Sequence, residues 1–257
     1  MTASDTTPWY TLSAQEAVLL LGSDADTGLS RAAAIRERER HGPNELPREP
    51  QASAVQVVAR IWADPMNLML TAVAGVAFGF GQPETGLLVA ALVLLNVFMG
   101  ASQELKARAS VAALDSLQVP QARVLRDGQL LTIDAVDLVP GDVFLLEPGD
   151  LAPADGRVLQ SASLEMVESG LTGESAPVDK GPVAVPDPDT PLGDRTSMVF
   201  QNTSVTRGTA RCLVVATGTG TEMGKIAGML NSVTPEKSPL QKELRSLTIR
   251  LAILAWA

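Results

Sequence analysis

The sequence predicts a mixed fold: N-terminal helices, a transmembrane helical hairpin, an all-β domain of sandwich or distorted jelly-roll type, and the start of a third membrane helix. Three observations predict it. Between Ile61 and Leu105 there is no Lys or Arg, and the only charges are Asp64, Glu84 and Glu104. Beyond residue 120, short β-type runs alternate with Asp-Gly, Pro-Gly-Asp and Pro-Ala-Asp-Gly turns. The chain has 257 residues, 46% of them hydrophobic, more apolar content than a single soluble core needs. The expected divisions are 1–48 for the helices, 49–103 for the hairpin, 104–235 for the β domain, and 236–257 for a linker running into the third membrane helix.

The elements follow in order. Ser13-Ala-Gln-Glu16 has capping-box spacing and leads into a helix through Ala17 to Leu21, stopped by Gly22. Ser30 caps a second helix, Arg31 to Arg40, closed by His41-Gly42-Pro43. Its arginines could suggest a DNA-reading helix, but Glu37 and Glu39 interleave with Arg36, Arg38 and Arg40 and cancel the charge. With a net charge of −9, the chain is not expected to bind nucleic acid. His41 is the only histidine, so a metal site built on imidazoles is excluded, and its place at a helix end suits a dipole partner.

Two apolar stretches, Ile61 to Phe80 and Thr85 to Ser102, flank Gly81-Gln82-Pro83-Glu84. A helix of about 20 residues rises ~30 Å, the thickness of the bilayer's hydrocarbon core. Arg48 and Arg60 precede the hairpin, Lys106 and Arg108 follow it, and the connecting turn carries no positive charge. The positive-inside rule then places both ends in the cytoplasm of a multi-pass membrane protein, with Trp62 at the interface. Met1 to Tyr10 lacks a basic start followed by an apolar run, so no signal peptide is expected. Glu104 to Leu117 continues the second helix.

Strands are expected at Arg123–Arg126 and Gln129–Ile133 about the turn Asp127-Gly128, then at Asp142–Glu147, Gly156–Leu159, Met198–Gln201 and Thr209–Ala216. Pro182 to Pro191 reads as a surface loop. A helix follows from Met223 to Asn231, and Leu247 to Ala257 turns apolar again. That last stretch suggests the front part of a longer protein.

Several patterns resemble chemistry and fail on spacing. Thr217-Gly-Thr-Gly-Thr-Glu-Met-Gly-Lys225 lacks phosphate-loop spacing, and Met223 stands where a dinucleotide loop needs Gly, so it reads as a strand-to-helix turn. Asp142, Glu147, Asp150 and Asp155 sit beside Gly or Pro in tight turns, which explains them without catalysis. Asp187, Asp189 and Asp194 miss calcium-loop spacing. No metal ligands are assigned. The lone Cys212, inside Arg-Cys-Leu-Val-Val-Ala, reads as a packed strand residue.

Thr172-Gly173-Glu174-Ser175 stands apart. It is either a good polar turn or a single carboxylate mounted on a Gly-containing turn and aimed into another site. Gly173 permits an unusual backbone conformation, and the hydroxyls of Thr172 and Ser175 can hold a water or a phosphate oxygen. One carboxylate suffices to orient and deprotonate a water if the electrophile comes from elsewhere.

The order of parts resembles the N-terminal third of a P-type cation-transporting ATPase of the calcium-pump-like branch. The resemblance covers nearly the whole chain. It rests on Gly42-Pro-Asn-Glu-Leu-Pro47, Val139-Pro-Gly-Asp142, Pro153-Ala-Asp-Gly-Arg157, Leu171-Thr-Gly-Glu-Ser-Ala-Pro-Val178 with Lys180, Ala216-Thr-Gly through Gly224-Lys-Ile-Ala227, and Ser238-Pro-Leu-Gln241. It implies that residues 104–235 are an actuator domain, which in the family rotates to bring its Thr-Gly-Glu-Ser loop over an aspartyl phosphate. Glu174 would then be the catalytic residue that positions and activates the hydrolytic water, with Thr172, Gly173 and Ser175 shaping the loop. The family further implies ATP and Mg²⁺ bound on parts outside this chain, which should be inactive alone. The implied partners are membrane lipid, a transported cation, calcium by branch, and the phosphorylation, nucleotide and remaining membrane domains. Glu168 stands where the family usually has Asp, and Asn202 where Gly is common. A different class of reading is a membrane-anchored β domain acting as an interaction or regulatory module without catalysis. A third is a soluble sugar- or phosphate-binding jelly roll with a helical bundle attached.

Overall fold

In the computed structural model, which describes residues 7–46, 52–116, 120–232, 243–244 and 246–247, the chain divides into two compact units. One is built from Met1–Arg48 and Val119–Val233, the other from Glu49–Gln118 and Thr234–Ala257. The helices are α1 (Ala14–Leu20), α2 (Arg31–His41), α3 (Ala54–Trp62), α4 (Pro65–Gly79), α5 (Pro83–Ser116), the single turn α6 (Ser169–Thr172) and α7 (Glu222–Ser232). The strands are β1 (Gln121–Arg126), β2 (Gln129–Asp134), β3 (Val143–Leu146), β4 (Asp155–Val167), β5 (Val178–Lys180), β6 (Met198–Val199) and β7 (Ser204–Ala216).

The strands form one antiparallel sheet in the order β2-β1-β3-β7-β4-β5, with β6 also paired to β4. The β1–β2 hairpin turns at Asp127 (φ 50°) and Gly128 (φ 72°), two consecutive positive-φ residues that match the twist of the strands. Sequence reasoning found this hairpin, but it cut β4 at Leu159, began β7 at Thr209, and missed β5. The reason is local. Ser161-Ala-Ser163 is polar and small, and Gly208 opposes it where the β4–β7 register shifts between Ala162 and Glu165. Ser163 (φ 49°) and Gly208 (φ 77°) both adopt left-handed conformations there. Such a bulge bends a strand without ending it.

Two cores lie against the sheet, and alternation along the strands assigns residues to each. Val124, Phe144, Val158, Met166, Cys212 and Val214 belong to one. Val143, Leu159, Leu213 and Val215 belong to the other, where they meet Trp9, Tyr10, Ala17 and Val18 from the N-terminal segment. Cys212-Leu-Val-Val215 is therefore a continuous apolar run because both its faces are covered. Ser13 caps α1 in a complete capping box with Glu16, and Ser30 caps α2. Arg157, fully buried on β4, ties these pieces together. Its Nε and Nη2 donate to Leu12 O, Nη2 also to Pro182 O, and Nη1 to Val158 O and Ser197 O.

In the second unit, the segment Pro83–Ser110 of α5 is long and apolar enough to cross a bilayer. The other half of the expected hairpin differs from a single helix over Ile61–Phe80. It begins at Ala54 and breaks between α3 and α4 with a bend of 68°, and only the bent pair together meets the same criterion. Pro65 is the physical cause, since it disfavours helical backbone at Asp64 and cannot donate into the preceding turn. Asp64 instead caps α4, accepting from Met66 N. Asn67 repairs the break: its Nδ2 donates to Ile61 O at 2.8 Å, and its Oδ1 accepts from Asn96 Nδ2 on α5 at 2.8 Å. The predicted third membrane helix beyond residue 247 and the motif Ser238–Gln241 lie outside the described residues.

Gly208 gives the sharpest test of the bulge. A Cβ there would lie 2.1 Å from Ser163 O and 2.3 Å from Ala162 O. Gly208→Ala is expected to destabilise the sheet unit by more than the ~1–2 kcal/mol that a left-handed residue costs by itself. Urea unfolding of parent and variant measures it.

Candidate functional site

The turn carrying Thr172-Gly173-Glu174-Ser175 grows out of the end of β4. Glu168 leaves the strand conformation (φ −112°, ψ 23°), and α6 makes one turn over Ser169–Thr172. Glu168 O receives Leu171 N at 2.9 Å, Thr172 N at 3.0 Å and Thr172 Oγ1 at 3.2 Å. Gly173 then takes the left-handed conformation (φ 79°, ψ −4°) and donates to Ser169 O, an α-turn that a β-carbon would strain. Thr172 Oγ1 accepts from Glu174 N at 3.2 Å, so one hydroxyl locks both sides of the turn. β5 returns the chain to β4 with Lys180 opposite Leu164.

The four residues named from sequence are thus on one turn. Glu174 and Ser175 are exposed, and Thr172 is partly buried. Among the described residues no cation pairs with Glu174. What sequence reasoning missed lies beneath the turn. Lys180 Nζ approaches Glu168 Oε1 at 2.6 Å, with both side chains almost wholly buried. The contact is an ion pair by distance and does not meet hydrogen-bond geometry, and Oε2 has no donor among the described residues. Burial pushes the Glu168 carboxyl up and the Lys180 ammonium down, and their attraction opposes both shifts. The ammonium also lies 5.3 Å from the centre of the Phe200 ring. The signal was available: an acid and a base bracketing the polar turn.

The other acidic residues separate by role. Asp142 is buried and holds Arg126 through two bonds, Nε–Oδ1 at 2.8 Å and Nη2–Oδ2 at 2.6 Å, while accepting from Val139 N. Glu147 and Asp150 share Arg123. These are structural contacts around tight turns. Asp155 does more than close a turn, because its two oxygens accept from Gln201 N and from Glu222 N at the start of α7, both at 2.8 Å. Burial pushes its carboxyl up to about 7. Cys212 is fully buried and its thiol is pushed up by desolvation, which leaves it inert as a nucleophile.

The Gly218–Lys225 segment offers no cradle for a nucleotide. A Cβ on Gly224 would lie 2.1 Å from Gly218 O, Gly224 N donates to Thr221 Oγ1, and Lys225 pairs with Glu222. The turn is filled by its own backbone, as the strand-to-helix reading expects. Asn44 in the Gly42–Pro47 motif packs on it, its Oδ1 accepting from Gly218 N and its Nδ2 donating to Ala135 O and Pro153 O. Among the described residues no three His, Cys, Asp or Glu side chains group as a metal site would require.

With this geometry in view, residues 116–231 match the P-type ATPase actuator domain and residues 9–77 match the cation transporter/ATPase N-terminus. The chain belongs to the P-type ATPase family. A calcium-transporting ATPase of Bacillus subtilis is 39% identical over 228 residues, 89% of this chain and 26% of the relative. A calcium-transporting ATPase of Listeria monocytogenes is 36% identical over the same shares. A probable cation-transporting ATPase F of Mycobacterium tuberculosis is 37% identical over 256 residues, 99% of this chain and 28% of the relative. The chain thus spans about a quarter of the length of the curated relatives it matches. The antiparallel sheet unit is the actuator, and the N-terminal segment is built into it.

Asp155 gives the actuator a pH signature. Its folded-state carboxyl, near 7, lies above the ordinary 3.8, so the folded chain keeps a proton that the unfolded chain loses. Stability should therefore fall as pH rises through that window, by up to ~1.4 kcal/mol per pH unit, and level off above it. Asp155→Asn should be less stable overall, having lost an acceptor, but should lack this slope. Urea unfolding of both proteins at intervals from about pH 4 to about pH 8 tests the prediction.

Proposed function

We propose that this chain is the N-terminal part of an ATP-driven cation pump, with Glu174 as the residue that promotes hydrolysis of an aspartyl-phosphate intermediate carried on another part of the pump. The observation that supports it most is the mounting of Glu174. A single carboxylate stands exposed on a tight turn whose base is closed by a buried ion pair. Such a group is presented to a surface outside its own unit. Thr172 and Gly173 set the turn, and Ser175 adds a hydroxyl beside the carboxylate. The carboxylate would orient a water and take its proton as the water attacks phosphorus, releasing the aspartate.

In this reading the sheet is a distorted jelly roll, with β4 and β7 bending across it at their register shifts. The bent α3–α4 pair and α5 form a membrane hairpin. Arg60, Lys106 and Arg108 sit at its cytoplasmic end, and the chain continues through a linker into a third membrane helix. The pump is multi-pass in the cell membrane, in contact with lipid. The domain divisions expected from sequence, 1–48, 49–103, 104–235 and 236–257, are retained as its working parts. ATP and Mg²⁺ would bind on the phosphorylation and nucleotide domains; among the described residues no group of His, Cys, Asp or Glu side chains could hold the metal. Calcium is the proposed cargo, supported by the names of the Bacillus and Listeria relatives. Measuring which cation stimulates ATP hydrolysis by the whole pump tests that assignment.

For Glu174 the decisive experiment is Glu174→Gln in the whole pump. Phosphorylation from ATP should persist while dephosphorylation slows by about 10² or more, so that phosphoenzyme accumulates. Equal dephosphorylation rates in variant and parent would remove Glu174 from the mechanism.

A further inference from the structure

Resting on that reading of Glu174, we infer that the buried pair Glu168–Lys180 is the positioning element of the site, fixing where the Glu174 carboxylate is presented. Glu168 is held twice. Its side chain is tied to Lys180 Nζ at 2.6 Å inside the core. Its carbonyl is the common acceptor for Leu171 N, Thr172 N and Thr172 Oγ1, the groups that form the turn. Thr172 Oγ1 in turn accepts from Glu174 N. A continuous run of contacts therefore leads from Lys180 through Glu168 and Thr172 to the backbone of Glu174.

The frame beneath is rigid. Lys180 ends β5, is paired in register with Leu164 on β4, and is also fixed by the Phe200 ring and by donation to Arg195 O at 3.5 Å. The ion pair thus joins the two ends of the segment 168–180, which carries Glu174 at its exposed tip. For stability alone, a buried pair of this kind is a poor choice. Desolvating both charges costs several kcal/mol, and here the carboxylate gains no well-directed hydrogen bond in return. An apolar pair of the same volume would close the sheet as well. What the ion pair adds is a fixed separation at the root of the loop. A misplacement of about 1 Å at a reacting group can cost ~10² in rate.

The test uses the whole pump and reads phosphorylation and dephosphorylation separately, with variants Lys180→Met, Glu168→Gln, the double variant carrying both, and Glu174→Gln. Folded Lys180→Met and folded Glu168→Gln are each expected to dephosphorylate roughly tenfold more slowly than the parent, with phosphorylation changed by less than about twofold. Added to Glu174→Gln, Lys180→Met should slow dephosphorylation no further, because it acts through Glu174. Dephosphorylation at the parent's rate in a folded Lys180→Met protein, or a slowing that multiplies with that of Glu174→Gln, overturns the inference while leaving Glu174 in place. No slowing in Glu174→Gln itself overturns the underlying reading and the inference together. If the single variants fail to fold, the double decides, since it leaves no lone buried charge. A slowed double supports the positioning role, and a double at the parent's rate rejects it.

Discussion

A guanidinium with no carboxylate partner among the described residues holds the actuator together. Arg157 sits fully buried on β4 and spends its donors on the carbonyls of Leu12, Val158, Pro182 and Ser197. Burial lowers its pKa to about 10, so it remains charged at neutral pH. A planar fork of donors can serve several acceptors at once, which an ammonium cannot do in the same geometry. The N-terminal segment, the loop after β5 and the turn before β6 all end on that fork. Without it, the partly buried carbonyl of Leu12 and the carbonyl of Pro182 would lose these donors, while Ser197 O would keep Val158 N.

That anchoring explains why the sheet can be apolar on both faces. With Leu12 pinned to β4, α1 lies over Leu159, Leu213 and Val215, and the other faces of the same strands close on Phe144 and Val158. A sheet covered twice is stiff, and the role proposed for Glu174 requires a stiff support. The polar turn at its edge inherits that stiffness through Glu168, whose carbonyl and side chain belong to the turn and to the core respectively. The Pro-Ala-Asp-Gly-Arg motif is central to both ends of this arrangement. Asp155 seats the start of α7, Arg157 collects the loops, and Gly156 between them leaves room for Phe144, whose ring a Cβ would approach to 2.7 Å.

Much of this was legible from residues alone. Capping boxes at Ser13 and the cap at Ser30 set helices to within a residue or so, because those signals act between neighbours. Asp127-Gly128 fixed a hairpin because both positions need positive φ. Spacing at Gly218–Lys225 indicated a strand-to-helix turn, and the segment does join β7 to α7. The misses share a cause of the opposite kind. β4 and β7 continue through Ser163 and Gly208 only because each strand supports the other across the bulge, and β5 is three residues long and exists only as a partner of β4. Pro65 announced a helix break, but the apolar run around it hid the break from a reading based on hydropathy.

By itself the sequence determined the family, the apolar window, the order of parts, and the presence of one carboxylate on a glycine turn. These are properties of composition and short spacing, written into consecutive residues. Tertiary structure decided which side chains act together. Glu168 and Lys180, Asn44 and Gly218, Arg157 and Leu12, Asn67 and Asn96 are each separated along the chain and meet only when the strands and helices pack. Three of these pairs satisfy a buried or partly buried polar group by a hydrogen bond and the Glu168–Lys180 pair neutralises a buried charge, needs that arise only once water has been excluded.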